Sequence, residues 1–173
     1  MDFVDIMDSI NVTSDEYLSV ADRYYTVKYC TDYSTEENNL DHCISFHTNR
    51  ICLISLAEKH PIIKDRKQIL KIDSVVGNID RLENKSSGKA KHGAQKLNPN
   101  SILCYIHCSD GSSYPVYSCI KGKLLEINKN IFKNPQLIIE KPRSQGYIAL
   151  ILPYLDSFTQ IKDSMMSNES YCK

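Results

Sequence analysis

The dipeptide Asp110-Gly111 limits this chain more than any other feature, because of what flanks it. Cys104-Tyr-Ile-His-Cys108 precedes it and Tyr114-Pro-Val-Tyr-Ser-Cys-Ile120 follows. A tight turn needs positive φ at little cost, and Asp-Gly between aromatic and β-branched runs is a strong hairpin signal. Lys121-Gly122 supplies a second bend before Lys123-Leu-Leu-Glu-Ile127, and Asn134 to Pro142 reads as a rigid connector. Tyr147-Ile-Ala-Leu-Ile-Leu152 is apolar on both faces, as a buried strand would be. Joined by short turns, these strands predict a meander.

The first half repeats the pattern. His42-Cys-Ile-Ser-Phe-His47, a turn at Thr48-Asn-Arg50 and Ile51-Cys-Leu-Ile-Ser-Leu-Ala57 predict a second hairpin, with Pro61 stopping it. Ile69 to Val76 reads as a third strand of this half, or a short helix. The fold class expected is all-β, two small antiparallel sheets closing on each other. A chain of 173 residues suits one domain. The expected division is an acidic N-terminal tail over 1–20, a β domain over 21–155 and a polar C-terminal tail over 156–173. Phe3, Val4, Ile6, Met7 and Ile10 lie near helical spacing in the first tail, and the tyrosines at 24, 25 and 29 read as a pad packing it onto the core.

Lys+Arg and Asp+Glu balance at 21 each, so no global field steers nucleic acid or a membrane to this chain. No apolar run approaches the roughly 20 residues that a membrane helix needs. The first charges are acidic, which fits neither a mitochondrial nor a secretory leader. Seven cysteines, scattered over strand-like positions, suit reduced thiols in cytosol or nucleus. With no tryptophan and no aromatic-basic stacking motif, direct nucleic-acid binding is not expected.

The catalytic and metal readings are weak. In a strand, Cys104 and Cys108 point one way and His107 the other, and no second ligand set completes a zinc site. His42, Cys43 and His47 share a strand with no placed acid. Neither an enzyme nor a bound cofactor or metal is expected. The one local charge asymmetry lies between Gly77 and Pro99, where Arg81, Lys85, Lys89, Lys91, His92 and Lys96 surround glycines and serines. A flexible cationic loop of this kind suits an acidic partner, although composition alone fits a solvated loop equally well. Ser87-Gly-Lys89 lacks the spacing of a phosphate-binding loop.

Two family resemblances add to these readings. Lys121-Gly-Lys-Leu-Leu-Glu-Ile-Asn128 is similar to the Ser-Gly-Glu-Val-Val-Glu-Val-Asn segment of the glycine cleavage H-protein and its lipoyl and biotinyl relatives. Asn134 to Tyr147 resembles that family's Asn-Pro-Glu-Leu-Val-Asn-Glu-Asp-Pro-Tyr-Gly-Glu-Gly-Trp without a gap. The resemblance implies a flattened barrel-sandwich hybrid. In this register the lipoylated lysine falls on Gly111, which has no amine to acylate. Lys89-Ala90 offers the only echo of the carrier motif, so a relocated lipoyl or biotinyl arm on Lys89, or an accessory subunit of a lipoate-handling enzyme, is the alternative.

The second resemblance spans roughly Asp22 to Pro153. Asp22-Arg-Tyr-Tyr25, Asp41-His-Cys-Ile44, Asn49-Arg-Ile-Cys52, Leu56 to Pro61, Arg81 to Lys85, Ser87-Gly-Lys89 and Gly93-Ala-Gln95 resemble the Abitram (Simiate) family. It implies an actin-binding protein of nucleus and cytoplasm, acting on monomeric or filamentous actin and influencing its polymerisation and transcription, with other nuclear proteins as further partners. It also favours a functional role for the basic loop.

Overall fold

The computed structural model describes residues 24–173; the expectations for the acidic segment 1–20 lie outside the described residues. The strands are β1 (Tyr25–Cys30), β2 (His42–His47), β3 (Cys52–Leu56), β4 (Ile69–Asp73), β5 (Val75–Val76), β6 (Ile79–Asp80), β7 (Lys96–Leu97), β8 (Ile102–Cys108), β9 (Ser113–Tyr117), β10 (Gly122–Ile127), β11 (Ala149–Pro153) and β12 (Met166–Ser167). Short helices intervene: α1 (Pro61–Lys64), α2 (Asn130–Lys133), α3 (Leu137–Glu140), α4 (Phe158–Ser164) and α5 (Asn168–Tyr171), with a 3-10 turn at Arg81–Glu83. Among the described residues no helix is long and apolar enough to cross a membrane.

The fold is mostly β, as expected, in two facing antiparallel sheets with a small extra hairpin. A seven-stranded sheet runs β12-β1-β2-β3-β11-β10-β7, a three-stranded sheet runs β4-β8-β9, and β5 pairs with β6. The large sheet contributes Ile44, Ile54, Leu124 and Ile151 to the core, and the small one Leu103, Ile106 and Val116, all fully buried in one cluster. The sheets sandwich this core without closing into one continuous ladder. One of the two is therefore not small.

Both predicted hairpins form. In β2–β3, Arg50 takes φ 74° and Asn49 Oδ1 accepts the Ile51 N–H at 3.1 Å, so the side chain helps to close the turn. In β8–β9, Gly111 takes φ 85° and donates its N–H to Cys108 O at 3.1 Å. The meander beyond it does not form, because β10 pairs with β11 and β7 rather than with β9. The chain crosses between sheets at Ser118–Lys121. Cys119 turns it in the left-handed region at φ 61°, and Ser118 Oγ donates to Ile120 O at 2.6 Å.

Two other expectations, for Ile69–Asp73 and for residues 156–173, are corrected. Ile69–Asp73 pairs with β8 of the small sheet, not with the N-terminal hairpin. Asn134 to Pro142, the rigid connector, contains α3, whose Ile138 and Ile139 are buried. Tyr25 to Cys30 form strand β1, and Tyr29 packs Tyr171 of the C-terminal segment; the expectation that these tyrosines hold the N-terminal segment lies outside the described residues. Residues 156–173 are not a tail. They fold back as α4, β12 and α5, and β12 extends the large sheet through the pairs Lys28↔Ser167 and Tyr29↔Met166.

Tyr171 anchors this return. It is 3% exposed, stacks on Tyr29 with ring centroids 3.9 Å apart and donates its hydroxyl to Asp41 Oδ2 at 2.8 Å. Lys59 Nζ donates to the Tyr171 carbonyl at 2.9 Å and lies 4.4 Å from its ring centroid. Tyr171→Ala removes the ring and leaves the buried Asp41 carboxylate short of a donor. It should lower the unfolding free energy in urea by about 3 kcal/mol.

Two wholly buried histidines act as acceptors in the frame. His42 Nε2 accepts the Tyr117 N–H at 3.0 Å, and His60 Nδ1 caps α1 by accepting the Ile62 N–H at 3.2 Å. Burial lowers the His42 pKa to about 4, and burial together with His42 lowers that of His60 to about 3. Folded pKa values below the unfolded value near 6.5 mean that the unfolded chain binds these protons first. Stability is then lost as pH falls from about 6.5, by roughly 3 kcal/mol for His42 alone near pH 4. His60→Asn keeps a capping side chain, and urea titrations of this variant should show a shallower loss of stability between pH 6 and pH 4 than wild type.

Candidate interaction surface

The basic segment is an ordered loop, and its six candidate residues divide into different roles. Arg81 is 6% exposed, and its Nε donates to Ile102 O at 3.0 Å and its Nη1 to Gln95 Oε1 at 2.9 Å. Burial lowers its pKa. Arg81 is thus an internal peg and is removed from the candidate contact surface. Its planar fork spends its donors on a carbonyl and an amide inside the fold.

The neighbours complete a brace. Asn84 Nδ2 donates to Leu124 O at 2.8 Å while its Oδ1 accepts the Gln95 N–H at 2.7 Å. Gln95 Nε2 donates to Asp80 O at 3.0 Å, and Gln95 O accepts the Leu124 N–H at 2.9 Å. Both ends of the loop are thereby tied to the edge of β10. Between them Ser87 and His92 exchange backbone hydrogen bonds of 3.0 and 2.9 Å. The chain turns through Gly88 at φ 71°, Lys91 at φ 54° and Gly93 at φ 80°.

Lys85, Lys89, His92 and Lys96 are exposed on this brace, and Lys91 is half-buried. Lys123 joins them, a residue that the sequence reading left out. It pairs with Lys96 across β10–β7 and donates Nζ to Ala90 O at 2.7 Å. Cross-strand partners point to the same face, and two like charges there are mutually destabilising. The only sign of Lys123 in the sequence is its alternate position on a predicted strand; its neighbour Lys96 is set by pairing. Beside the loop lies a cleft of about 360 Å³ lined by Arg81, Asn84, Glu126, Asn128, Lys129 and Tyr147 among others. Its polar groups largely bond one another: Tyr147 donates to Glu126 Oε1 at 2.5 Å, and Asn128 Nδ2 to Gln145 O and Tyr147 O, both at 2.8 Å.

The hairpin tip carries no amine. Gly111 sits in the β8–β9 turn with nothing within 4 Å of where a Cβ would stand. Its neighbour Asp110 is engaged by Lys67 Nζ at 2.5 Å from Oδ2, and this partner first, with Ser112 second, holds the carboxyl well below its usual range. Lys67 arrives from the loop between α1 and β4, so its amine lies beside the tip rather than on it. Lys89 lies within the isolated bridge between Ser87 and His92, outside any ladder of the two main sheets. The cysteine and histidine candidates are occupied otherwise. Cys104 and Cys108 face the core, and burial pushes the Cys104 thiol up to about 12 and Cys43 up to about 11. His47 Nδ1 accepts the Asn49 N–H at 3.1 Å.

Two facing antiparallel sheets define an H-protein-like fold, with Gly111 in the tip of its β8–β9 hairpin. The family described as glycine cleavage H-protein matches residues 89–173. The crystal structure of a glycine cleavage system H protein from Mycobacterium marinum covers 84% of this chain and 93% of its own at a TM-score of 0.50. Identity to it is 7%, so the likeness is one of fold. Protein Abitram of Xenopus tropicalis is 45% identical over 157 residues, spanning 90% of this chain and 85% of the relative. Protein Abitram of Homo sapiens is 44% identical over 154 residues, 88% of this chain and 84% of the relative. Protein Abitram of Dictyostelium discoideum is 38% identical over 157 residues, 90% and 83% respectively. The chain belongs to the Abitram family.

The division between peg and surface is measurable. Arg81→Met leaves the Ile102 carbonyl and the Gln95 amide oxygen without their donors, and should cost about 1–3 kcal/mol in urea denaturation. Lys85→Ala on the same loop should change stability by less than about 0.5 kcal/mol.

Proposed function

We propose that this chain is a non-enzymatic binding module that contacts actin, monomeric or filamentous, through the braced basic loop. Lys85, Lys89 and Lys96 make the contact, with Lys91 and His92 on its flank and Arg81 and Asn84 holding the loop from inside. The observation that carries this reading is the loop's construction: exposed amines on a hydrogen-bonded brace, one of which, Lys96, pairs across adjacent strands with the half-buried, like-charged Lys123. An acidic protein surface relieves that repulsion, and a preformed loop loses little entropy on binding. The family resemblance supplies actin as the partner, and effects on polymerisation and on transcription would follow through protein contacts in cytoplasm and nucleus.

Co-sedimentation and monomer-binding assays test the reading. Lys85→Glu/Lys89→Glu/Lys96→Glu, with its urea midpoint checked against wild type, should weaken actin binding at least about tenfold, and wild-type binding should fall as salt rises. Binding that is unchanged in the variant and indifferent to salt overturns the assignment of this loop.

A further inference from the structure

Arg81 has a nitrogen left over, and the residue borders the polar cleft beside the basic loop. Nε and Nη1 donate to Ile102 O and Gln95 Oε1. Nη2 has no hydrogen-bond partner among the described residues, and no carboxylate among them forms an ion pair with the guanidinium. Yet Nη2 is not sealed in. Among the described residues, the buried side-chain nitrogens and oxygens without a partner are His42 Nδ1, Ser55 Oγ and His60 Nε2. A residue only 6% exposed thus keeps its one free nitrogen within reach of solvent, and it lines the cleft of about 360 Å³.

A guanidinium stays charged in a protein, and a buried charge is costly unless something offsets it. Burial lowers the Arg81 pKa, as expected where no acid compensates. The rest of the wall sets the class of ion that can do so. Lys129 is exposed on the same cleft, and its amine makes no hydrogen bond among the described residues. Glu126 is the one acid of the lining, with its Oε1 accepting from Tyr147. Two cations and one acid leave a surplus of one positive charge. A monoanion balances that surplus, whereas a phosphate dianion overshoots it and is repelled by Glu126. Leu82 and Leu125 add apolar wall, which suits a short hydrocarbon body.

We propose that this cleft binds a small monocarboxylate, with Arg81 Nη2 and Lys129 Nζ donating to the carboxylate and the hydrocarbon chain lying along Leu82 and Leu125. Charge-assisted donors of this kind favour a carboxylate over a neutral amide of the same shape. The site is separate from the actin contact assigned to Lys85, Lys89 and Lys96, and Arg81 alone serves both.

Amide NMR of the full chain during a sodium butyrate titration tests this, with sodium chloride at matched ionic strength as the blank. Saturable shifts are expected at the Arg81 Nε–H, Leu125 and Asn130, with a dissociation constant on the order of 1–10 mM. Butyramide, which keeps the chain and lacks the charge, should shift none of them saturably, and inorganic phosphate should bind more weakly than butyrate. Lys129→Ala leaves the Arg81 bonds in place and should weaken butyrate by about threefold. Glu126→Gln keeps an acceptor for Tyr147 and removes the repelling charge, so it should tighten butyrate by about the same factor; a purely structural role for Glu126 gives no such gain. Absence of saturable shifts up to about 50 mM butyrate overturns the proposal. So do shifts that butyramide reproduces, or an affinity unchanged in both variants. Tighter binding of phosphate than of butyrate overturns the assignment to a carboxylate.

Discussion

The backbone of β11 is bonded along both of its edges, and this double pairing holds the two halves of the chain together. On one side Ala149, Leu150 and Ile151 pair with Ile54, Leu53 and Cys52 of β3; on the other, β11 pairs with β10 from Gly122↔Pro153 to Ile127↔Ala149. Ile148 just before it is equally engaged, donating to Ile54 O at 2.8 Å and accepting from Asn128 N at 2.9 Å. A buried backbone group without a partner costs as much as a lost hydrogen bond, so a displaced β11 would orphan groups on both neighbours at once. Gly122 allows the close approach: a Cβ there would stand 2.4 Å from Leu152 O. The β3–β11 contacts join residues far apart in sequence, so the large sheet rests on non-local pairing.

The basic loop depends on that strand at one remove. With β11 on one edge of β10, the other edge is left to β7, Gln95 and Asn84. The loop therefore hangs on a strand that is itself fixed on its far side. Its amines are exposed while its backbone is held, a combination that composition cannot distinguish from a mobile lysine-rich linker. The same bracing sets the limit on Arg81, whose guanidinium serves two internal oxygens and is nearly buried.

What could be read from the sequence was local, and what could not was set by distant pairing. Asp110-Gly111 and Thr48-Asn-Arg50 form turns because the residues that need unusual backbone angles lie between their own strands. The crossing at Cys119 carried no such mark; a cysteine at positive φ is a choice forced by where Ser101 and Pro99 accept the N–H groups of Ser118 and Cys119, at 2.8 and 2.9 Å. Residues 156–173 looked like a tail because they are polar, yet one stacked ring, one cross-strand pairing and a carboxylate acceptor hold them down. Arg81 and Lys85 read alike in the sequence, yet one is buried and the other exposed: charge shows in composition, and burial does not.

The hairpin tip shows that the scaffold does not dictate what its turns carry. A swinging carrier needs a free amine at an exposed apex, whereas here the apex is glycine and the adjacent carboxylate is occupied by Lys67 and by the Ser112 backbone N–H at 2.9 Å. The tip's polar groups bond inward or to their immediate neighbours, so it resembles an ordinary stabilised turn. Fold and site are separable: the core of Ile44, Ile54, Leu124 and Val116 requires two facing sheets, but nothing in that requirement puts an amine at residue 111. The exposed amines are gathered instead on the edge of the large sheet, beside β7 and β10. They therefore sit on a different sheet from the β8–β9 hairpin.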